Sequence, residues 1–401
     1  MSTGIRRFGT AVLTAALVTG LTATTATAAP ERTELRQAMN ELVTAGGAGV
    51  QVRVHDGQGN WAGSAGTREL GGHAKVPTDG RYRVGSITKT FVSTVILQLV
   101  GEGKVELDKP VDQYLPRFGL DRRITVRMIL QHTSGLFNYT GEVNPDGSLD
   151  PGIPLDGQEF IDKRFHTYQP EELVGVALAK PPRFEPGTSW SYSNTNYVLA
   201  GLLVEQLTGT DYTEQLSRRI LHPLGLRDTS FPGTRPGIPG PHAHGYYAYS
   251  VEGERKLVDI TKLNPSWATS AGEIISTTKD LDRFITGLLG GKLLSPPLLA
   301  EMLKMAPAGE LGAYGLGVQK METGCGEPVY GHTGGIHGYQ SFLFSTLDGT
   351  NRLEISLTQG DVDTSDPAAA EKYYRAAEKV AVVAACGKTP PVAQRQLVDL
   401  R

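Results

Sequence analysis

Ser86-Ile87-Thr88-Lys89 opens an apolar stretch that reads as a helix, and Tyr192-Ser193-Asn194 and His332-Thr333-Gly334 follow it in that order. A serine and a lysine three residues apart share one face of a helix, so their side chains can touch. A neutral amine beside a hydroxyl is the minimum needed to turn serine into a nucleophile. Alone, the first motif also fits a helix N-cap serine followed one turn later by a solvated lysine. Likewise, Tyr192-Ser193-Asn194 alone fits an Asx-type turn before a helix. The three motifs as an ordered set, each in turn-forming context, restrict the chain far more than any one of them.

The remaining pattern supplies the frame. Residues 50–54 alternate like a strand, Asp56-Gly57 offers a turn, and Trp61 begins a second strand. A helix is expected from Ser86 to Gly101, with shorter ones from Thr125 to Gln131 and from Asn196 to Leu207. Segments 340–346 and 352–358 alternate around Asp348-Gly349, which predicts an antiparallel hairpin. Residues 367–385 read as an amphipathic helix that packs on that hairpin. Strands at both ends with helices between them predict an α/β (α+β) fold: one antiparallel sheet, flanked by helices, that the C-terminal segment completes. The expected division is an α/β lobe from 29–104 and 259–387, a mainly helical lobe over 105–258, and a tail over 388–401.

Arg6 and Arg7, an apolar run over 11–21 and Ala26-Thr27-Ala28 read as a signal peptide over 1–28, so a secreted protein is expected. The run is too short to span a membrane, and no membrane anchor is expected. The chain carries 39 Lys and Arg against 42 Asp and Glu, a net charge of −3, which gives no electrostatic reason to bind nucleic acid. The two cysteines, Cys325 and Cys386, are read as one disulfide of an exported protein. His242-Ala243-His244 has the spacing of a two-histidine clip, but no acid or cysteine follows closely, so no metal is expected. The chain has neither a Gly-x-Ser-x-Gly elbow nor a phosphate-cradling Gly-Lys-Ser/Thr loop, and no cofactor is expected.

The motif set resembles the penicillin-recognising serine hydrolases: DD-peptidases, class C β-lactamases and their esterase and D-aminopeptidase relatives. The resemblance runs from about Val50 to Cys386. Its further marks are Arg81-Tyr82-Arg83-Val84-Gly85, His132-Thr133-Ser134-Gly135-Leu136, Trp267-Ala268-Thr269-Ser270-Ala271-Gly272 and Tyr330-Gly331-His332. The His-Thr-Gly form of the third motif is most similar to the secreted, soluble D-alanyl-D-alanine carboxypeptidases, which also have cysteines in matching contexts. The resemblance implies that the three motifs meet in a groove between lobes, with Ser86 as nucleophile and Lys89 or Tyr192 as the base. It implies a substrate contact from Asn194, from His332 and Thr333 on the strand edge, and from Trp267 in the groove. The oxyanion hole would be the backbone N–H groups of Ser86 and Gly335.

The same comparison exposes two departures. Those carboxypeptidases grip the terminal carboxylate with an arginine some six residues before the first cysteine, and with a hydroxyl two positions past the motif's threonine. The matching positions are Gln319, with Lys320 beside it, and Gly335. The leading expectation is a DD-peptidase acting on a small peptide or peptidoglycan-like substrate, with β-lactams as inhibitors and a monomeric enzyme. The alternative is a D-stereospecific aminopeptidase or amidase, an esterase or a β-lactamase, which the missing arginine favours. A third reading is an inactive penicillin-binding module.

Overall fold

The computed structural model describes residues 32–144, 146–363 and 366–388. The expected signal peptide lies outside the described residues, as does the tail beyond Lys388. The chain enters through helix α1 (Thr33–Thr44), whose apolar face of Leu35, Ala38, Met39 and Leu42 is buried. Strands β1 (Gly47–Asp56) and β2 (Gly59–Gly66) form a hairpin closed at the Asp56↔Gly59 pair. Six later strands complete one antiparallel sheet: β3 (Ala306–Pro307), β4 (Ala313–Tyr314), β5 (Gln319–Met321), β6 (Val329–Ile336), β7 (Tyr339–Ser345) and β8 (Arg352–Gln359). Their spatial order is β2-β1-β8-β7-β6-β5-β4-β3, so the first hairpin pairs with the last strand.

Both faces of this sheet are covered, which explains why β1 buries Gln51 as well as Val50, Val52 and Val54. On one face α1 and the C-terminal helix α7 (Pro367–Cys386) pack Leu35, Met39 and Val380 against Val52, Phe342 and Ile355. On the other face lies the larger core around α2 (Thr88–Gly101), a helix buried on nearly every side. A helix that is apolar all round belongs in a protein interior. Packed against it are α4 (Asn194–Thr208), the single turn α5 (Thr269–Gly272) and, through Phe284 stacked on Phe91, α6 (Thr278–Leu289), while α3 (Val126–Gln131) packs on α4.

A disulfide joins Cys325, between β5 and β6, to Cys386 at the end of α7, across 61 residues. By the chain-entropy argument a loop of that length stabilises the fold by about 4 kcal/mol.

Two element boundaries differ from the pattern-based expectation. Ser86 lies in a 3-10 turn, Gly85–Ile87, and the α-helix proper begins at Thr88. The tightening has a local cause: the Thr88 hydroxyl donates to the Gly85 carbonyl at 2.8 Å, and Gly85 has φ +55. Similarly, α4 begins at Asn194 rather than Asn196, which puts the second motif's amide on the first helical residue.

Candidate active site

Ser86, Lys89, Tyr192 and Asn194 converge where α2, α4 and β6 meet. Lys89 is fully buried, and its Nζ lies 3.0 Å from Ser86 Oγ, 2.8 Å from Asn194 Oδ1 and 2.8 Å from the Ala271 carbonyl oxygen. Asn194 Nδ2 is 3.3 Å from Thr140 Oγ1, which turns the amide oxygen toward the lysine. Burial holds the Lys89 amine well below the ordinary lysine range. Two of its three neighbours, an amide oxygen and a carbonyl, can only accept hydrogen bonds. A neutral amine has two N–H donors, so both are committed and its lone pair faces Ser86.

The Tyr192 hydroxyl interacts with the Ser86 side chain, and its ring faces Lys89 Nζ at 4.8 Å. Burial pushes the Tyr192 hydroxyl far above its ordinary value, against the opposing effect of the Ser86 hydrogen bond, so the phenol stays protonated. The two candidate bases are thereby distinguished: the amine is deprotonated with ease and the phenol is not.

The third motif forms the facing wall. His332 is buried, and that burial draws its imidazole down to about 3, so the ring is neutral. Its Nδ1 lies 2.5 Å from the Thr333 carbonyl, which can only accept, so Nδ1 carries the proton. Its Nε2 therefore accepts from the Tyr314 hydroxyl at 2.8 Å. Both ring nitrogens are engaged by the protein.

Thr333 is held by the Gln319 amide. Gly335 lies against the turn that carries Ser86. A Cβ on Gly85 would sit 2.7 Å from the Gly335 amide nitrogen, and one on Gly334 would sit 1.9 Å from the Val84 carbonyl oxygen. Only glycines let the strand close so tightly on Ser86. On its outer side Gly335 faces open space, with nothing within 4 Å of where a side chain would begin.

Trp267 is partly buried on the large core, its ring 5.6 Å from that of His337, and its carbonyl accepts from the Tyr139 hydroxyl at 2.6 Å. Gln319 is buried, and both ends of its amide are directed at Thr333. Lys320, the next residue on β5, projects from the opposite strand face and pairs with Glu322 at 2.8 Å. His244 Nδ1 donates to Asp259 at 2.6 Å and His242 Nδ1 to the Gly240 carbonyl at 2.7 Å, remote from this cluster in sequence and bonds.

Three contributors were not assigned from sequence. The Ala271 carbonyl is a backbone atom, invisible to side-chain patterns, although Trp267-Ala268-Thr269-Ser270-Ala271-Gly272 marks the segment. Tyr314 lies on a two-residue strand with no motif around it. His132, in His132-Thr133-Ser134, is buried with its ring 4.3 Å from that of Tyr192. Its Nδ1 accepts from the Ser193 N–H at 3.2 Å and lies 3.1 Å from the Asn196 amide nitrogen.

The sequence model of the beta-lactamase family matches residues 35–394. The chain belongs to the beta-lactamase family. The fold is that of the serine hydrolases of that family. Among solved structures it is similar to a D-stereospecific amidohydrolase from Streptomyces sp., at 39% identity and a TM-score of 0.78, covering 90% of this chain and 100% of that one. It is also similar to the D-amino acid amidase of Ochrobactrum anthropi SV3 complexed with D-phenylalanine, at 27% identity and a TM-score of 0.71, covering 87% and 98%. Among curated family members, penicillin-binding protein 4* of Bacillus subtilis is 27% identical over 313 residues, 75% of this chain and 65% of that protein. The matched stretches cover between 41% and 65% of the curated relatives' own lengths.

Proposed function

We propose that this family member is a D-stereospecific amidohydrolase that cleaves neutral amides of D-amino acids through an acyl-enzyme at Ser86. The observation that carries the substrate class is the uncharged wall beside the nucleophile. Gln319 stands where the look-alike carboxypeptidases have arginine, and its amide is consumed by Thr333. Gly335 has no hydroxyl, and the Lys320 ammonium is paired on the other strand face. A free carboxylate would find no charged partner there, whereas charged hydrogen bonds contribute about 1.5–3 kcal/mol each. The likeness to the Streptomyces and Ochrobactrum enzymes supports the same reading, and so favours the amidase alternative over the DD-carboxypeptidase.

In the proposed reaction neutral Lys89 takes the Ser86 proton as Oγ attacks the substrate carbonyl. The backbone N–H groups of Ser86 and Gly335 bear the developing oxyanion. Tyr192 gives its proton to the departing ammonia or amine and regains one from the Lys89 ammonium, and water then attacks the ester along the reverse proton path. Asn194 orients Lys89 and contacts the substrate amide, and Thr333 contacts the acyl part from the strand edge.

Export is part of the proposal, and the Cys325–Cys386 disulfide supports an oxidising compartment. A monomer is likewise proposed, although a neighbour sharing the fold at 23% identity is an octameric penicillin-binding protein homologue from Pyrococcus abyssi. Sedimentation of the purified protein measures this directly. The substrate reading is tested by rates on a D-amino acid amide, its L-enantiomer, an acyl-D-Ala-D-Ala peptide, a short ester and a cephalosporin. The D-amide is expected to lead both its enantiomer and the free-acid peptide by at least ~10², the scale of a lost ion pair. A free-acid peptide turned over fastest would return the enzyme to the carboxypeptidases, and no turnover or acylation at all would leave a binding module.

A further inference from the structure

Thr269 opens α5 with φ +33, a left-handed backbone conformation that a β-branched residue adopts only under strain. Two other non-glycine residues among those described have positive φ, His132 and Glu252, and neither is β-branched. Such strain persists only where the surroundings over-determine the backbone.

Here they do. The Ser270 hydroxyl donates to the Tyr197 carbonyl at 2.8 Å, and its Oγ presses so close to α4 that a Cβ on Gly201 would lie 2.3 Å away. Buried Glu273 closes the turn from behind. Its N–H donates to the Thr269 carbonyl at 3.0 Å, its Oε2 accepts the Gly233 N–H at 2.7 Å, and its Oε1 accepts the Tyr212 hydroxyl. Thr269 Oγ1 lies 3.5 Å from that same hydroxyl. On the far side the Ile274 N–H reaches Thr88 Oγ1, next to Lys89 in sequence, at 3.2 Å.

The atom this clamped turn delivers is the Ala271 carbonyl oxygen, 2.8 Å from Lys89 Nζ. Together with Asn194 Oδ1 it takes up the two N–H groups of the neutral amine, and only then does the lone pair point at Ser86. If the carbonyl is free to wander, the amine can rotate and the proton transfer loses its geometry.

We infer that Thr269 is a positioning residue, whose strained turn, braced by Tyr212 and Glu273, fixes the Ala271 carbonyl so that Lys89 addresses Ser86. The inference rests on the reading of Ser86 as nucleophile and Lys89 as base, but not on the identity of the substrate. Strain held for geometry has a signature that a merely structural residue lacks: its relief should help the fold and harm the chemistry.

The test is the rate at which a fluorophosphonate probe labels Ser86, measured beside Tm, in wild type, Thr269→Gly and Tyr212→Phe. Glycine accepts φ +33 without strain. Thr269→Gly is expected to label at least tenfold more slowly with a Tm no lower than wild type. Tyr212→Phe, which removes the brace and leaves Thr269 in place, is expected to slow labelling by a similar factor. The double variant should be no slower than the slower single one, because the two residues act on one carbonyl. Wild-type labelling in Thr269→Gly would overturn the inference, and so would a slower rate accompanied by a matching fall in Tm, which marks general loosening. If Thr269→Gly fails to fold, slow labelling of folded Tyr212→Phe still supports the inference and unchanged labelling still overturns it. Failure of wild type to label at all would instead overturn the Ser86 reading, and this inference with it.

Discussion

Gln319 holds Thr333 from two sides. Its Oε1 accepts the Thr333 backbone N–H at 3.0 Å, and its Nε2 donates to the Thr333 hydroxyl at 3.3 Å. A neutral amide thus fastens the strand edge where a charged side chain would instead have reached for substrate. Replacing Gln319 by arginine together with Gly335→Thr should raise the ratio of free-acid to amide turnover by ~10–100-fold, the equivalent of one charged hydrogen bond. Lys320→Ala should leave that ratio within about twofold, since its partner is Glu322. Steady-state rates on paired acid and amide substrates check both, and a large effect of Lys320→Ala would contradict the uncharged wall.

Ser86→Ala should abolish covalent labelling by a fluorophosphonate. Lys89→Met and Tyr192→Phe should each cut acylation by at least ~10², the usual scale for groups that carry protons. Burst kinetics on a chromogenic ester measure this step apart from deacylation. A loss under tenfold in either variant would remove that residue from the mechanism.

The pH profile should distinguish the base. Burial holds the Lys89 amine well below the ordinary lysine range, so it gives up its proton at a much lower pH than a free lysine and becomes an ammonium as the pH falls. Acylation should therefore be flat toward alkaline pH and fall on the acid side as Lys89 protonates. A profile still climbing as it enters the ordinary lysine range, near ~10.4, would show an unperturbed amine.

Glu354, on β8, is fully buried, and neither carboxylate oxygen has a hydrogen-bond partner within the protein. Burial, then the nearby Asp282 charge, pushes its carboxyl well above the usual range. Below about pH 4.5 both folded and unfolded chains hold the proton, and nothing is lost. Above it the unfolded chain ionises freely while the folded one does not. Stability should fall with rising pH, by about 1.4 kcal/mol per pH unit, until the folded-state value is reached. Glu354→Gln carries no titrating proton, so its Tm advantage over wild type should widen from pH 5 to pH 8. A constant difference across that range would show that Glu354 is ionised in the native protein.

Reduction of the Cys325–Cys386 bridge, or the Cys325→Ala, Cys386→Ala double variant, should lower stability by about 4 kcal/mol while leaving acylation nearly unchanged. Denaturant melts monitored with and without reductant measure it. Indistinguishable melts would mean that the linked segments are held by packing alone.

The motifs were legible because their chemistry resides in side chains at fixed local spacing. Ser86 and Lys89 are one turn apart whether the turn is 3-10 or α, so the boundary error at Thr88 cost nothing. The hairpin of β7 and β8 and helix α7 were legible from alternation and amphipathicity. The Ala271 carbonyl was not, because any residue could supply that oxygen and only the strained turn at Thr269 makes it special. Nor was the engagement of Gln319 by Thr333 legible: a position can be matched by counting from Cys325, but what its side chain touches is decided across β5 and β6. The substrate reading suffered accordingly. Motif order led to the carboxypeptidases as the leading expectation, while the two exchanged residues, Gln319 and Gly335, already favoured the amidase alternative that is proposed above.

Strand β1 lies beside β8, so the Thr358 hydroxyl bonds the Gly49 carbonyl across 309 residues of chain. During synthesis the first hairpin therefore emerges long before its neighbour exists, with one edge of β1 exposed to whatever it meets. The serine, lysine and tyrosine are all made before β6, the strand that walls them in. A nascent chain halted after residue 192 but before residue 335 holds Ser86, Lys89 and Tyr192 but not the Gly335 amide that the proposed reaction needs. On the proposed mechanism the site is therefore incomplete until β6, the sixth of the eight sheet strands in chain order, has been translated.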